Sequence, residues 1–93
     1  MKKIIKISAE WCGPCKALAP IFHKISEMEE FKNVEFKEYD VDDEDGEEYV
    51  SKFSIRNIPT ILILDENNEL INKSVGALPE NMLIKFLQEN LNK

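Results

Sequence analysis

The sequence has 93 residues, of which 43% are apolar and 32% charged, the balance of one ordinary globular domain. Eighteen acidic against twelve basic side chains give a formal net charge of −6. This charge argues against nucleic-acid binding and against docking on anionic membranes, because both need a basic surface. No stretch has the apolar run of a signal peptide or the length of a membrane span. We therefore expect a single domain over residues 1–93 in the cytoplasm.

The first half of the chain predicts two strands that alternate with two helices. Residues 3–8 are rich in isoleucine and read as a strand, and residues 34–40 alternate in polarity as a second strand does. Between them, apolar residues recur every three or four positions and predict a helix over 14–31. A short second helix is expected over 44–53.

The second half predicts a hairpin and a final helix. The apolar run 61–64 reads as a strand, the polar residues 65–68 as its turn, and residues 69–75 as the partner strand. Pro79 suits the first turn of the last helix. The order β-α-β-α-β-β-α predicts an α/β fold with a mixed four-stranded sheet and helices on both faces.

Cys12 and Cys15 are the only cysteines of the chain. A structural disulfide between them would close too small a loop to stabilise the fold much, and two thiols with one histidine are too few for a closed zinc site. A structural thiol pair, or half of an intermolecular metal site, remains the alternative. Since Cys12 falls where a strand passes into a helix, its thiolate would be stabilised by the helix N-terminus, and the pair predicts redox chemistry.

Three segments extend this motif into a family resemblance. They are Ala9-Glu10-Trp11-Cys12-Gly13-Pro14-Cys15-Lys16 with Ala19-Pro20, Ile55-Arg56-Asn57-Ile58-Pro59-Thr60, and Val75-Gly76-Ala77. On these residues the sequence resembles thioredoxin, and the resemblance extends over about residues 3–92. It implies a thioredoxin-like fold with no bound cofactor, whose redox group is the Cys12–Cys15 disulfide.

The same resemblance implies a surface that binds the substrate. Pro59 matches the family's cis-proline, which faces the cysteines, and Ile58 before it would offer backbone hydrogen bonds to an extended segment. Gly76 and Ala77 match the far side of the substrate groove. Three residues of the motif complete the expected surface, namely Trp11, Gly13 and Pro14.

The sequence departs from the family in two respects. The first strand and helix of full-length thioredoxins have no counterpart, which leaves a minimal core shared in outline with glutaredoxins. In addition, Lys6 stands where the family usually has a buried aspartate, and Glu38 stands where a lysine normally pairs with it. We hypothesise that Lys6 and Glu38 pair beneath Cys15 and that Glu38 takes its proton. The alternative is that Lys6 extends to solvent and Glu38 merely lies at a strand end.

Two further features have ordinary interpretations. His23 lies among charged residues and is expected to be solvated and not catalytic. The acidic run 40–45 before Gly46 lacks the spacing of a calcium-binding loop, and a solvated loop leading into a helix fits it better.

The leading functional prediction is a monomeric thiol–disulfide oxidoreductase that reduces disulfides in target proteins. An NADPH-dependent thioredoxin reductase would supply its electrons. One alternative is a glutaredoxin-like reductase that is recharged by glutathione. Another, from a different class, is a binding subunit that holds a partner on the same surface while its redox chemistry is incidental.

Overall fold

The computed structural model describes residues 1–92, and over that range four strands form one mixed sheet. The strands are β1 (Lys3–Ser8), β2 (Glu35–Asp40), β3 (Thr60–Leu64) and β4 (Leu70–Val75), in the spatial order β2-β1-β3-β4. β1 runs parallel to β2 and antiparallel to β3, and β3 runs antiparallel to β4. The predicted element order and mixed sheet are confirmed.

Within the same described residues, three α-helices cover the two faces of the sheet. They are α1 (Gly13–Ser26), α2 (Glu44–Lys52) and α3 (Glu80–Leu91). Alternate residues of β1 point to opposite faces: Ile4 joins a core cluster with side chains of α1 and α3, whereas Ile5 joins a second cluster that packs against α2. Helices on both faces are therefore confirmed as well.

The first helix ends earlier than the sequence predicts. α1 stops at Ser26, and a 3-10 turn over Glu29–Phe31 replaces its last predicted turn. The hydroxyl of Ser26 donates to the carbonyl oxygen of His23 at 2.6 Å, and Met28 is extended. This break turns Phe31 into the core, where it is 2% exposed. The prediction of a helix to residue 31 was therefore wrong. The apolar periodicity continues past Ser26, but the chain leaves the helix there and the Phe31 side chain is buried in the core.

The β3–β4 hairpin follows its predicted turn. Asn68 adopts a positive φ of 64°, and the carboxylate of Asp65 accepts the backbone N–H groups of Asn67 and Glu69. β4 begins one residue later than expected, and Pro79 occupies the N-cap position just before α3 instead of lying in its first turn.

The two ends of the described chain meet at one edge of the molecule. The Nζ of Lys2, just before β1, donates to the carbonyl oxygen of Leu91, the last residue of α3, at 2.7 Å. The opposite end of β1 leads into the cysteine motif. Within residues 1–92 no helix has the length and apolarity needed to cross a bilayer.

Candidate active site

Cys12 occupies the N-cap of α1. Its backbone is extended, and its Sγ accepts a hydrogen bond from the backbone N–H of Cys15 at 3.2 Å. Pro14 fits the first turn because it has no N–H to satisfy there and its fixed φ suits the helix. The two cysteines form a disulfide with their Cα atoms 5.2 Å apart. Cys15 is more deeply buried than Cys12, at 3% against 7% exposed.

The helix terminus favours a negative charge on Cys12. The first backbone N–H groups of a helix lack internal partners and present partial positive charge. One of them already points at the Cys12 sulfur, and the first turn of α1 contains no acidic residue that would compete for them. A thiolate at Cys12 would therefore be stabilised once the disulfide is reduced, and the thiolate is the reactive form of cysteine.

The segment around Pro59 faces the cysteines. The Ile58–Pro59 peptide bond is cis, and the Ile58 side chain packs against the small cluster that contains both cysteines. The backbone N–H of Gly76 donates to the carbonyl oxygen of Pro59 at 2.8 Å, which ties the end of β4 to this segment. Gly76 has a φ of +96°, a conformation that suits glycine. Ala77 lies beside it and is exposed.

Trp11 lies on the surface beside the motif with 69% of its area exposed. Its Nε1 donates to a carboxylate oxygen of Asp42 at 3.1 Å. Asp40 accepts the backbone N–H of Glu10 at 3.2 Å and that of Asp42 at 2.8 Å. The loop after β2 is thus bonded to the motif, a role that the sequence pattern did not predict. The parallel pairing of β1 and β2 was the available signal, since it brings the ends of both strands together.

A groove of about 350 Å³ opens between Trp11 and α2. Val50 lies on its α2 side, and two charged residues, Glu47 and Arg56, also line it. The other apolar residues of its wall are Val41, Ile55 and Ile58.

Lys6 and Glu38 form an ion pair, as their positions opposite to the charges usual in the family suggested. The two residues are opposite each other in the β1–β2 register, and the Lys6 ammonium donates to Glu38 Oε1 at 2.7 Å. The Lys6 side chain is only 4% exposed, and its Nζ lies 5.5 Å from the centroid of the Phe22 ring. The interpretation in which Lys6 extends to solvent was therefore wrong.

His23 is a second partner of Glu38, although it was expected to be solvated. Its Nε2 lies 2.6 Å from Glu38 Oε2, and because a carboxylate can only accept, the imidazole is the donor. Partial burial raises the pKa of Glu38, but the hydrogen bonds and charges of Lys6 and His23 outweigh it and hold the pKa below its ordinary 4.5. His23 is exposed, as predicted, yet it is not merely solvated. No local pattern indicates this contact, because it joins residues 15 positions apart in the chain.

Within residues 1–92, no hydrogen bond links Cys15 to Lys6 or to Glu38. The same residues contain no group of three or more histidine, cysteine or acidic side chains placed to hold a metal ion. The chemistry that the geometry offers at this end of the sheet is that of the cysteine pair.

Comparisons with known proteins show the family of the chain. A sequence model of the family described as Thioredoxin matches residues 1–89. The chain belongs to the thioredoxin family. It is 42% identical to Thioredoxin Asp f 29 of Aspergillus fumigatus over 76 residues, which cover 82% of this chain and 66% of that protein. It is 34% identical to a thioredoxin of Mycoplasmoides gallisepticum, over 94% of this chain and 82% of the relative.

A solved structure gives the same result for the fold. The crystal structure of Malassezia sympodialis thioredoxin (Mala s 13) matches with a TM-score of 0.81 and 31% identity, over 96% of this chain and 74% of that one. Family membership together with the Cys12–Cys15 disulfide makes the chain a thioredoxin-type thiol–disulfide oxidoreductase.

Proposed function

We propose that this thioredoxin-family chain is a general reductase of protein disulfides, with Cys12 as nucleophile and Cys15 as resolving thiol. The observation that supports the roles is the position of Cys12 at the α1 N-cap, where its sulfur accepts the N–H of Cys15. The Cys12 thiolate attacks a target disulfide, forming a mixed disulfide and releasing one target thiolate. Cys15 then loses its proton and attacks the Cys12 sulfur, which releases the second target thiolate. Two electrons pass to the target, and the Cys12–Cys15 disulfide is formed.

We propose an NADPH-dependent thioredoxin reductase as the electron donor, because the disulfide must be reduced again after each turnover. The family supports this donor. We also place the protein in the cytoplasm, where such a donor and a reducing environment keep the dithiol form available. Residues 1–93 would act as a single domain and as a monomer.

The target segment would bind across the residues that surround the cysteines. Ile58 and Pro59 would contact its backbone, and Gly76 and Ala77 would line the far side. Gly13 and Pro14 leave the approach to the Cys12 sulfur open, and Trp11 borders it. The packing of Ile58 against the cysteine cluster and the bond from Gly76 to Pro59 support this surface.

Glu38 would act as a positioning residue that assists the deprotonation of Cys15 through solvent, with Lys6 holding its carboxylate. The 2.7 Å ion pair supports the pairing, although neither side chain bonds directly to Cys15. The variant Glu38→Gln should slow the second, resolving step and shift its pH profile while leaving the first attack by Cys12 unchanged. An unchanged pH profile would contradict this role.

The decisive experiment is the reduction of insulin disulfides by the pre-reduced protein, followed with each electron source in turn. We expect turnover with thioredoxin reductase and NADPH, and no turnover by Cys12→Ser. Cys15→Ser should accumulate the mixed disulfide with the target, because the resolving thiol is missing. Turnover with glutathione alone would favour the glutaredoxin-like alternative. A double serine variant that still performs the cellular role would favour the binding subunit.

A further inference from the structure

The groove between Trp11 and α2 extends beyond the surface that the exchange chemistry requires. Its wall is mainly apolar, and Val50, Ile55 and Ile58 contribute to it. It adjoins the cysteines, because Trp11 directly precedes Cys12 and Ile58 packs against the cysteine cluster. With a volume of about 350 Å³, the groove can accommodate a large apolar side chain of a bound target segment.

The border of this groove carries a concentration of acidic residues. Six of the eight residues over 40–47 are aspartate or glutamate. Two of them, Asp40 and Asp42, already accept hydrogen bonds from the motif and its loop. None of the acids over 40–47 takes part in an ion pair within residues 1–92. Their negative charge is therefore available to a partner.

Glu47 links the acidic border to the groove itself. It lies in the first turns of α2 and lines the groove together with Val50, one helical turn further on. Among the described residues, Arg56 is the one basic residue on the groove wall, and it follows the C-terminal end of α2. A bound segment would thus meet negative charge at Glu47 and positive charge at Arg56.

Resting on the proposed function, we propose that this groove selects its targets. The preferred target segment places a bulky apolar side chain in the groove and carries lysine or arginine next to it, near the attacked disulfide. Glu47 is the specificity residue, because it is both part of the wall and part of the acidic border. Opposite charges on Glu47 and on the target segment would favour the encounter of the two proteins and fix the position of the segment in the groove.

The test compares three synthetic peptides, each with one intramolecular disulfide. The first carries leucine flanked by two lysines, the second leucine flanked by two glutamates, and the third alanine flanked by two lysines. Single-turnover reduction by the pre-reduced protein is followed near 0.15 M ionic strength, where charges more than about 8 Å apart are largely screened. We expect the lysine–leucine peptide to react about fivefold faster than either of the others.

Glu47→Lys should remove or reverse the preference for the lysine peptides. The matched control is Glu48→Lys, which makes the same change in charge at the next position of α2. Glu48 lines a different cavity, with Tyr49 and Leu64, so the preference should persist in this variant. If both variants lost the preference equally, net charge alone would explain it, and selection by the groove would be overturned.

The failure of this inference is distinct from the failure of the proposed function. Equal rates for all three peptides would overturn selection by the groove while disulfide reduction itself stands. No reduction of any peptide by the pre-reduced wild-type protein would instead contradict the reductase on which the inference rests.

Discussion

Lys6 brings an ammonium group into the interior of the molecule, where an unpaired charge is costly. Glu38 compensates this charge, and the Phe22 ring lies against the same ammonium. Glu38 in turn is shared with His23, which approaches from α1. The three side chains join β1, β2 and α1, so the pair has a structural role whatever it contributes to proton transfer.

This arrangement predicts that the two halves of the pair respond unequally to mutation. Glu38→Ala should lower the free energy of unfolding by about 1–2 kcal/mol, because it leaves Lys6 buried without its acceptor; the partial exposure of Glu38 keeps the loss below that of a fully buried pair. Lys6→Met should cost less, since an apolar chain of similar length needs no partner. Urea unfolding of both variants and of the double variant measures the coupling energy between the two side chains. Strictly additive losses of unfolding free energy would contradict an interaction between them.

The pH dependence of stability provides an independent check on the same pair. Because the pKa of Glu38 in the folded protein lies below its ordinary 4.5, its contribution is complete above pH 4.5 and is lost as the pH falls through the folded value. The difference in unfolding free energy between the wild type and Glu38→Gln should therefore shrink below about pH 4. A difference that stays constant down to about pH 2 would rule out the ionised carboxylate as its source.

At the scale of elements, α2 is fitted closely to the end of β2. A Cβ atom at Gly46 would collide with the backbone carbonyl of Asp40, whereas a Cβ at Gly13 would meet no atom of residues 1–92 within 4 Å. Gly46 is therefore required by close approach of the two backbones. The tight fit also holds the acidic end of α2 in place beside Trp11.

The substitution Gly46→Ala should destabilise the protein by about 1–3 kcal/mol, even though alanine has the higher helix propensity. Gly13→Ala is the matched control in α1 and should be neutral or slightly stabilising. Urea denaturation of the two oxidised variants measures both effects. Equal stability of the two variants would show that α2 can move away from β2 without loss.

Local patterns in the sequence predicted most elements because their causes are local. The isoleucine-rich β1, the turn with Asn68 and the cysteine motif all depend on neighbouring residues. The end of α1 could not be predicted in this way, since it depends on where Phe31 packs in three dimensions. The bond from Trp11 to Asp42 and that from His23 to Glu38 likewise join residues 31 and 15 positions apart. The Lys6–Glu38 pair was accessible only because a family resemblance aligned the two positions.

At the scale of the whole molecule, the two central strands form its most protected part. All five residues of β3 are buried, and so are the four middle residues of β1, including Lys6. The outer strands β2 and β4 are only partly buried. Stability should therefore decrease from the centre of the sheet toward its edges.

Native-state hydrogen exchange should reveal this gradient. The backbone amides of β1 and β3 should exchange slowest, with opening free energies close to that of global unfolding, and those on the outer edge of β4 should exchange first. Measurement by NMR on the oxidised protein would give the order residue by residue. Slower exchange in β4 than in β3 would contradict the sheet order as the source of stability.

The bond between Lys2 and Leu91 has a consequence for protein engineering. Because these residues meet in space, a short peptide linker could join positions near Lys2 and Leu91, and new ends could be opened in the exposed part of the hairpin turn at residues 66–68. Such a circular permutant would change the order of the strands along the chain but not their neighbours in the sheet. The cysteines lie at the opposite end of β1, so the rearranged protein would keep its reactive centre intact.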